Sequence, residues 1–416
     1  MQRSTWTVPG LELTDLTLDV PLDHDRPGGE QISLFARIVA EPGADDKPYL
    51  VYLQGGPGSE APRVGSIGAV PWLARALREH RVIMLDQRGT GRSTPVGPQI
   101  LEGRSAREAA EYLTHFRADA IARDAELLRE ALGVEKWSLL GQSFGGFTTL
   151  RYLSAHGESV EKALFTGGIP ALGQQLDDVY TTTWRGMIAR SERYWARFPG
   201  DRDRFRALAD RAEAGQLRLP DGQRVGVERL RRLGLMLGGT GGAERLHHLL
   251  ELDPEAPAFA HDLAAALPFS GRNPIYAVLH ESCWADGFAT RWAADRTKPR
   301  DVAEDPTLLG GEHVHRDLFT EDPELAVWAE VADVLAEHEW PRLYDEEALR
   351  GCEVPGAAAV YYDDAYVPRE FSLATAALLP RLTPWITSEY EHNGLRHGGA
   401  HVVGHLLDLA AGRREA

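Results

Sequence analysis

Short apolar runs and longer amphipathic stretches alternate along the chain, and their order predicts an architecture. Near the start, LTDLTLDVPLDH (13–24) and QISLFARIVA (31–40) alternate apolar and polar positions around the turn-rich DRPGGE, as an antiparallel hairpin does. Four compact apolar runs follow, YLVYLQGG (49–56), RVIMLDQRG (81–89), KWSLLGQS (136–143) and KALFTGGI (162–169), each breaking off abruptly at glycine or acid. Runs of this length bounded by turn residues fit buried strands. Between the second and third, residues 105–132 place apolar positions three and four apart and close on a glycine, which predicts helix. Strand, helix and strand in succession imply parallel strands joined by crossover helices.

The rhythm changes after Gly168. From about 173 to 348 the text is rich in Arg, Glu and Trp with helical periodicity, as in TTTWRGMIARSERYWARF, and no run reads as a buried strand. This block is expected to be a helical insertion. Strand-like text returns with AAAVYYDD (357–364) and PWITSEYEHN (384–393), joined by the helical REFSLATAALLPRL. The expected fold class is therefore α/β: a mostly parallel central sheet with flanking helices in residues 1–172, an inserted helical cap in 173–348, and the same core resumed in 349–416. Neither internal repeats nor low-complexity segments interrupt this plan.

Composition narrows the functional classes. With 43% hydrophobic and 26% charged residues among 416, the chain has the balance of a globular protein. No apolar run approaches the roughly 18 residues of a membrane helix. The opening MQRSTWTVPGLEL lacks the apolar stretch of a secretory signal, so a cytoplasmic protein with no membrane partner is expected. Cys283 and Cys352 are too few for a disulfide framework and lack the close spacing of a zinc site. A formal charge of −17 without a basic cluster argues against nucleic acid. Nothing in the sequence reports the oligomeric state.

The strongest chemical signal is LLGQSFGG (139–146), in which Gly141, Ser143 and Gly145 form a GxSxG turn after an apolar strand and before a helical stretch. Such a turn exposes a serine hydroxyl for nucleophilic attack, and side chains two residues away on either side would collide with it. Attack on a carbonyl also needs amide N–H groups where negative charge develops. Phe144 supplies one by position, and Gly56 in LQGGPGS (53–59) is the expected second. A plain tight turn would be the ordinary reading of GGPG if Ser143 did not follow downstream.

A serine needs a histidine to take its proton and a carboxylate to orient that histidine. In sheets carrying this turn the chain order is serine, acid, histidine. YYDDAYVP offers Asp363 and Asp364, and EYEHNG offers His392, each in the loop after an apparent strand. Asp364 is preferred, because the AYVP that follows turns away and leaves Asp363 facing the opposite side. His397, His401 and His405 lie in a terminal stretch whose spacing of four suits one solvated helix face. Without a following glutamate they make a weak zinc motif, and no metal is expected.

Taken together, GGPG (55–58), DQRGTGRS (86–93), FRADAIARDAE (116–126), GQSFGG (141–146), HESCWADGFATRW (280–292), YYDDAYVP (361–368) and EHNGLR (391–396) resemble the proline iminopeptidase (prolyl aminopeptidase) family of α/β-hydrolases over nearly the whole chain. Many shorter members have tryptophan after the serine where this chain has Phe144. The resemblance implies the α/β-hydrolase fold, a triad of Ser143, Asp364 and His392, and release of N-terminal proline from small peptides with a free amine, without metal or organic cofactor. It also implies that carboxylates in the cap recognise the charged imino group, and by the HES match Glu281 is the candidate. Physical reasoning supports an acid there, since a blocked amine would leave a buried carboxylate unpaired. A structural ion pair, with Arg291 for example, is the competing role for Glu281. Trp284 and Cys283 are candidates to line the same pocket, with core packing as the alternative. An esterase or lactonase using the same triad, and a non-catalytic binding protein on the same fold, are the competing functions.

Overall fold

The computed structural model describes residues 1–415 and contains nine strands. They are β1 (Gln2–Val8), β2 (Leu11–Pro21), β3 (Gln31–Ala40), β4 (Tyr49–Leu53), β5 (Arg81–Asp86), β6 (Trp137–Gln142), β7 (Val160–Thr166), β8 (Gly356–Tyr361) and β9 (Leu382–Thr387). All nine join one sheet in the order β1-β2-β3-β5-β4-β6-β7-β8-β9. The expected hairpin is present as β2 and β3, with Leu16 opposite Ala36. β1 adds a further antiparallel strand that the hydrophobic pattern does not signal, because its residues are exposed on both faces and carry no buried stripe.

From β4 to β9 all pairings are parallel, as the strand–helix alternation implies. Alternate residues of the central strands face opposite sides of the sheet. Val51, Leu53, Ile83, Leu85, Leu139 and Phe165 enter one apolar cluster, whereas Leu50, Tyr52, Val82, Met84, Leu140 and Leu164 enter the other. Helices Ala118–Ala131 and Phe144–His156 cover the first face, and Leu73–Leu77 and Gly399–Ala410 the second. A sheet buried on both sides explains why these strands read as continuous apolar runs.

Between β7 and β8 the chain is helical, led by the 22-residue helix Leu176–Arg197 and including Pro199–Glu213, Gly242–Glu251 and Ala329–Ala336. Among the described residues its only strand-type pairing is an isolated bridge between Arg218 and Arg224. Core arginines fasten this insertion: Arg117 donates to the Ala285 carbonyl at 2.7 Å, and Arg151 to the Leu343 carbonyl at 3.0 Å. Among the described residues no helix is long and apolar enough to cross a membrane. No group of three or more His, Cys, Asp or Glu among them is placed to hold a metal ion.

Candidate active site

Four loops at the carboxyl ends of parallel strands converge on one point. Ser143 follows β6, Gly55 and Gly56 follow β4, Asp364 follows β8 and His392 follows β9, the edge at which open α/β sheets gather their ligands.

Ser143 has φ 53° and ψ −126°, a strained conformation for a residue with a side chain, and the helix Phe144–His156 begins immediately after it. The turn is held by Ser143 N–H donating to the Thr166 carbonyl at 3.0 Å and by Gly146 N–H donating to the Ser143 carbonyl at 2.7 Å. The flanking glycines are required by close approach. A Cβ on Gly145 would lie 1.9 Å from the Leu53 carbonyl oxygen, and one on Gly141 2.5 Å from that of Gly145. Strand, turn and helix therefore fit together only without side chains at these two positions.

The Ser143 hydroxyl stands 2.9 Å from His392 Nε2, and His392 Nδ1 is 2.8 Å from Asp364 Oδ2 and 3.0 Å from Oδ1. Asp364 is itself fixed, its Oδ1 accepting the amides of Tyr366 at 2.9 Å and Val367 at 3.0 Å. Asp363 turns the other way, is 54% exposed and lies 3.3 Å from Arg193. Burial pulls the His392 imidazole towards its neutral form, but the Asp364 carboxylate more than offsets this and leaves its pKa raised. With Nδ1–H given to the carboxylate, Nε2 is left to accept the serine proton. Of the competing histidines, His401 and His405 lie on the helix Gly399–Ala410 and pack their rings against Trp385 of β9, and neither is hydrogen-bonded to Ser143 or Asp364.

The insertion grips the loop that carries His392. His392 N–H donates to the Gly238 carbonyl at 3.1 Å, Asn393 Oδ1 accepts the Thr240 amide at 2.9 Å, and Arg190 meets Glu391 at 2.7 Å. The Tyr366 hydroxyl donates to the Leu235 carbonyl, and its ring meets His392 edge-on at 4.9 Å.

A cavity of about 300 Å³ opens over Ser143 and His392, with Gly55 and Gly56 in its wall. Phe144, as the first residue of its helix, has an amide with no carbonyl one turn back inside the helix to accept it. Glu281 is not among the residues lining this cavity. Its carboxylate accepts the amides of Ala293 at 3.2 Å and Ala294 at 2.8 Å, so it caps backbone within the insertion beside a separate void of about 20 Å³. Burial lifts this carboxyl to about 7, the backbone hydrogen bonds opposing the rise. The competing ion pair of Glu281 with Arg291 is not formed either, since Arg291 meets Glu337 and Glu339.

The acid that does line the cavity is Glu312, which accepts the Tyr276 hydroxyl at 2.5 Å. Sequence reasoning passed over it. Its signal was faint: an acid between two glycines and HVH, at 310–315, inside an otherwise helical block. Trp284 stands one layer back, lining with Glu312 and Tyr366 a small void of about 10 Å³ and packing edge-on against Phe147 at 4.7 Å. Cys283 is buried in the core.

A serine on a strained strand-to-helix turn, hydrogen-bonded to a histidine and carboxylate from later strand ends beneath a helical insertion, defines an α/β-hydrolase, and residues 48–218 match the family model described as the alpha/beta hydrolase fold. The chain is 41% identical to a proline iminopeptidase of Aeromonas sobria, across 97% of this chain and 98% of that one. It is 30% identical to a proline iminopeptidase of Aspergillus aculeatus, across 95% and 93%. The chain belongs to the proline iminopeptidase family of α/β-hydrolases, and it is an enzyme, a serine hydrolase.

Proposed function

We propose that the chain is a serine exopeptidase that releases an N-terminal residue, preferentially proline, from small peptides through an acyl-enzyme. The observation that carries this reading is the unbroken chain Ser143–His392–Asp364 opening into a cavity that also holds the carboxylate of Glu312. Ser143 Oγ attacks the carbonyl of the first residue while His392 Nε2 takes its proton. The amides of Phe144 and Gly56 stabilise the oxyanion. The C–N bond then breaks, the leaving amine receives the proton from His392, and water activated by the same imidazole hydrolyses the ester.

Glu312 is the anchor for the substrate's ammonium or imino group. A neutral ester gains nothing from a carboxylate in the cavity, so this residue favours the peptidase reading over an esterase. Glu281 acts indirectly, holding the backbone of 293–294. The deciding experiment is a panel of aminoacyl arylamides with free and blocked amines. Free-amine prolyl arylamide is expected to lead, and Ser143→Ala to reduce its turnover by about 10⁴-fold or more with unchanged thermal unfolding. Full activity in Ser143→Ala, or a preference for blocked amines, overturns the reading.

A further inference from the structure

The cavity over Ser143 is lined by charges of both signs. Glu312 and Tyr276, both half-buried, form part of its wall, and Glu312 also borders the void with the buried His280 and Tyr180. Two exposed arginines, Arg245 and Arg396, line it as well. Other cations of the insertion near the site are already paired, Arg190 with Glu391 at 2.7 Å and Arg272 with Glu60 at 2.5 Å. Arg245 reaches only the Thr240 carbonyl, at 3.5 Å. Neither Arg245 nor Arg396 belongs to an ion pair among the described residues. Arg396 sits on the short helix Gly394–His397, four residues after His392, and its positive field is felt at His392 and Tyr276.

An N-terminal residue held at Glu312 puts the scissile carbonyl at Ser143 and sends the remainder of the peptide outward past these arginines. We infer that Arg245 and Arg396 form a site for the C-terminal carboxylate of a short peptide, so that the enzyme selects dipeptides and similarly short substrates by both ends. The inference rests on the exopeptidase reading above. Guanidinium groups suit a carboxylate because their N–H donors match its two oxygens. A chain of formal charge −17 would otherwise repel an anionic leaving group, and two free arginines lining the cavity reverse that locally. At about 300 Å³ the cavity lies at the small end of ligand sites, in keeping with a short peptide.

The test compares kcat/KM for Pro-Ala, Pro-Ala amide and Pro-Asp amide, with prolyl arylamide as reference. Wild type is expected to favour Pro-Ala over its amide by about tenfold, the preference shrinking as salt rises from about 10 mM to 0.5 M. In an Arg245→Gln/Arg396→Gln double variant the ratio falls to about one, and Arg396→Lys retains part of it. Equal rates on Pro-Ala and its amide in wild type overturn the inference while prolyl arylamide cleavage keeps the exopeptidase reading intact. A ratio that survives in the double variant, or a preference for Pro-Asp amide without one for Pro-Ala, also overturns it. Absence of cleavage of every proline substrate removes the underlying reading, and the inference with it.

Discussion

The carboxyl edge of the sheet and the helical insertion both place acids in buried positions, by different means. On the sheet edge, Asp364 leaves β8 with both oxygens towards His392 and two amides fixing it, and its neighbour Asp363 is turned to solvent. In the insertion, Glu281 opens a single 3₁₀ turn and Glu312, 31 residues on, lies in a loop; one caps amides while the other meets a tyrosine of the cavity that holds Ser143. A strand end restricts where a side chain points, so position in the chain foretells its role. An insertion built of short helices and turns imposes no such rule, and only packing decides which carboxylate reaches the cavity.

The sharpest way to break this contrast is to exchange histidines. His392→Ala is expected to lower kcat by about 10⁴-fold, whereas His401→Ala changes it less than twofold, measured on prolyl arylamide. A large loss in His401→Ala would move the base away from the strand end. Next in size is the pair of acids in the insertion. Glu312→Gln should lower kcat/KM on free-amine arylamides by about 10²-fold but only slightly on neutral esters, whereas Glu281→Gln should affect both classes alike. The reverse pattern would return the anchoring role to Glu281.

A smaller effect concerns pH. The proposed mechanism needs a neutral His392 to accept the serine proton, and Asp364 raises its pKa above the ordinary 6.5. The acid limb of kcat/KM is therefore expected above pH 6.5, and Asp364→Asn should shift it downward in addition to lowering the rate. An unmoved limb would assign it to another group. The smallest effect is on stability. Burial raises the Glu281 carboxyl from 4.5 to about 7, so the folded state keeps a proton that the unfolded chain releases. That stabilisation is complete below pH 4.5 and is lost as pH rises towards 7. Across this interval the wild type should lose a few degrees of Tm relative to Glu281→Gln, as thermal unfolding would register.

The family resemblance was legible because its motifs sit where geometry is least negotiable. GQSFGG must lack side chains at Gly141 and Gly145, or the turn collides with the backbone of Leu53 and of its own helix. The central parallel strands announced themselves for a similar reason, being buried on both faces. β1 escaped notice because burial leaves no mark on a strand exposed on both sides. Glu312 escaped because nothing in GGEHVH distinguishes an acid that will face a cavity from one that will face water.

By itself the sequence determined the parallel strands of the core and the residues of the serine turn, since these follow from local periodicity and from steric limits on a few backbone positions. Tertiary structure alone decided that Glu312 rather than Glu281 lines the cavity, and that Arg245 and Arg396 line it as well. Those outcomes depend on how segments distant in the chain pack against one another, and a side chain's direction across such a contact leaves no periodic trace in the sequence.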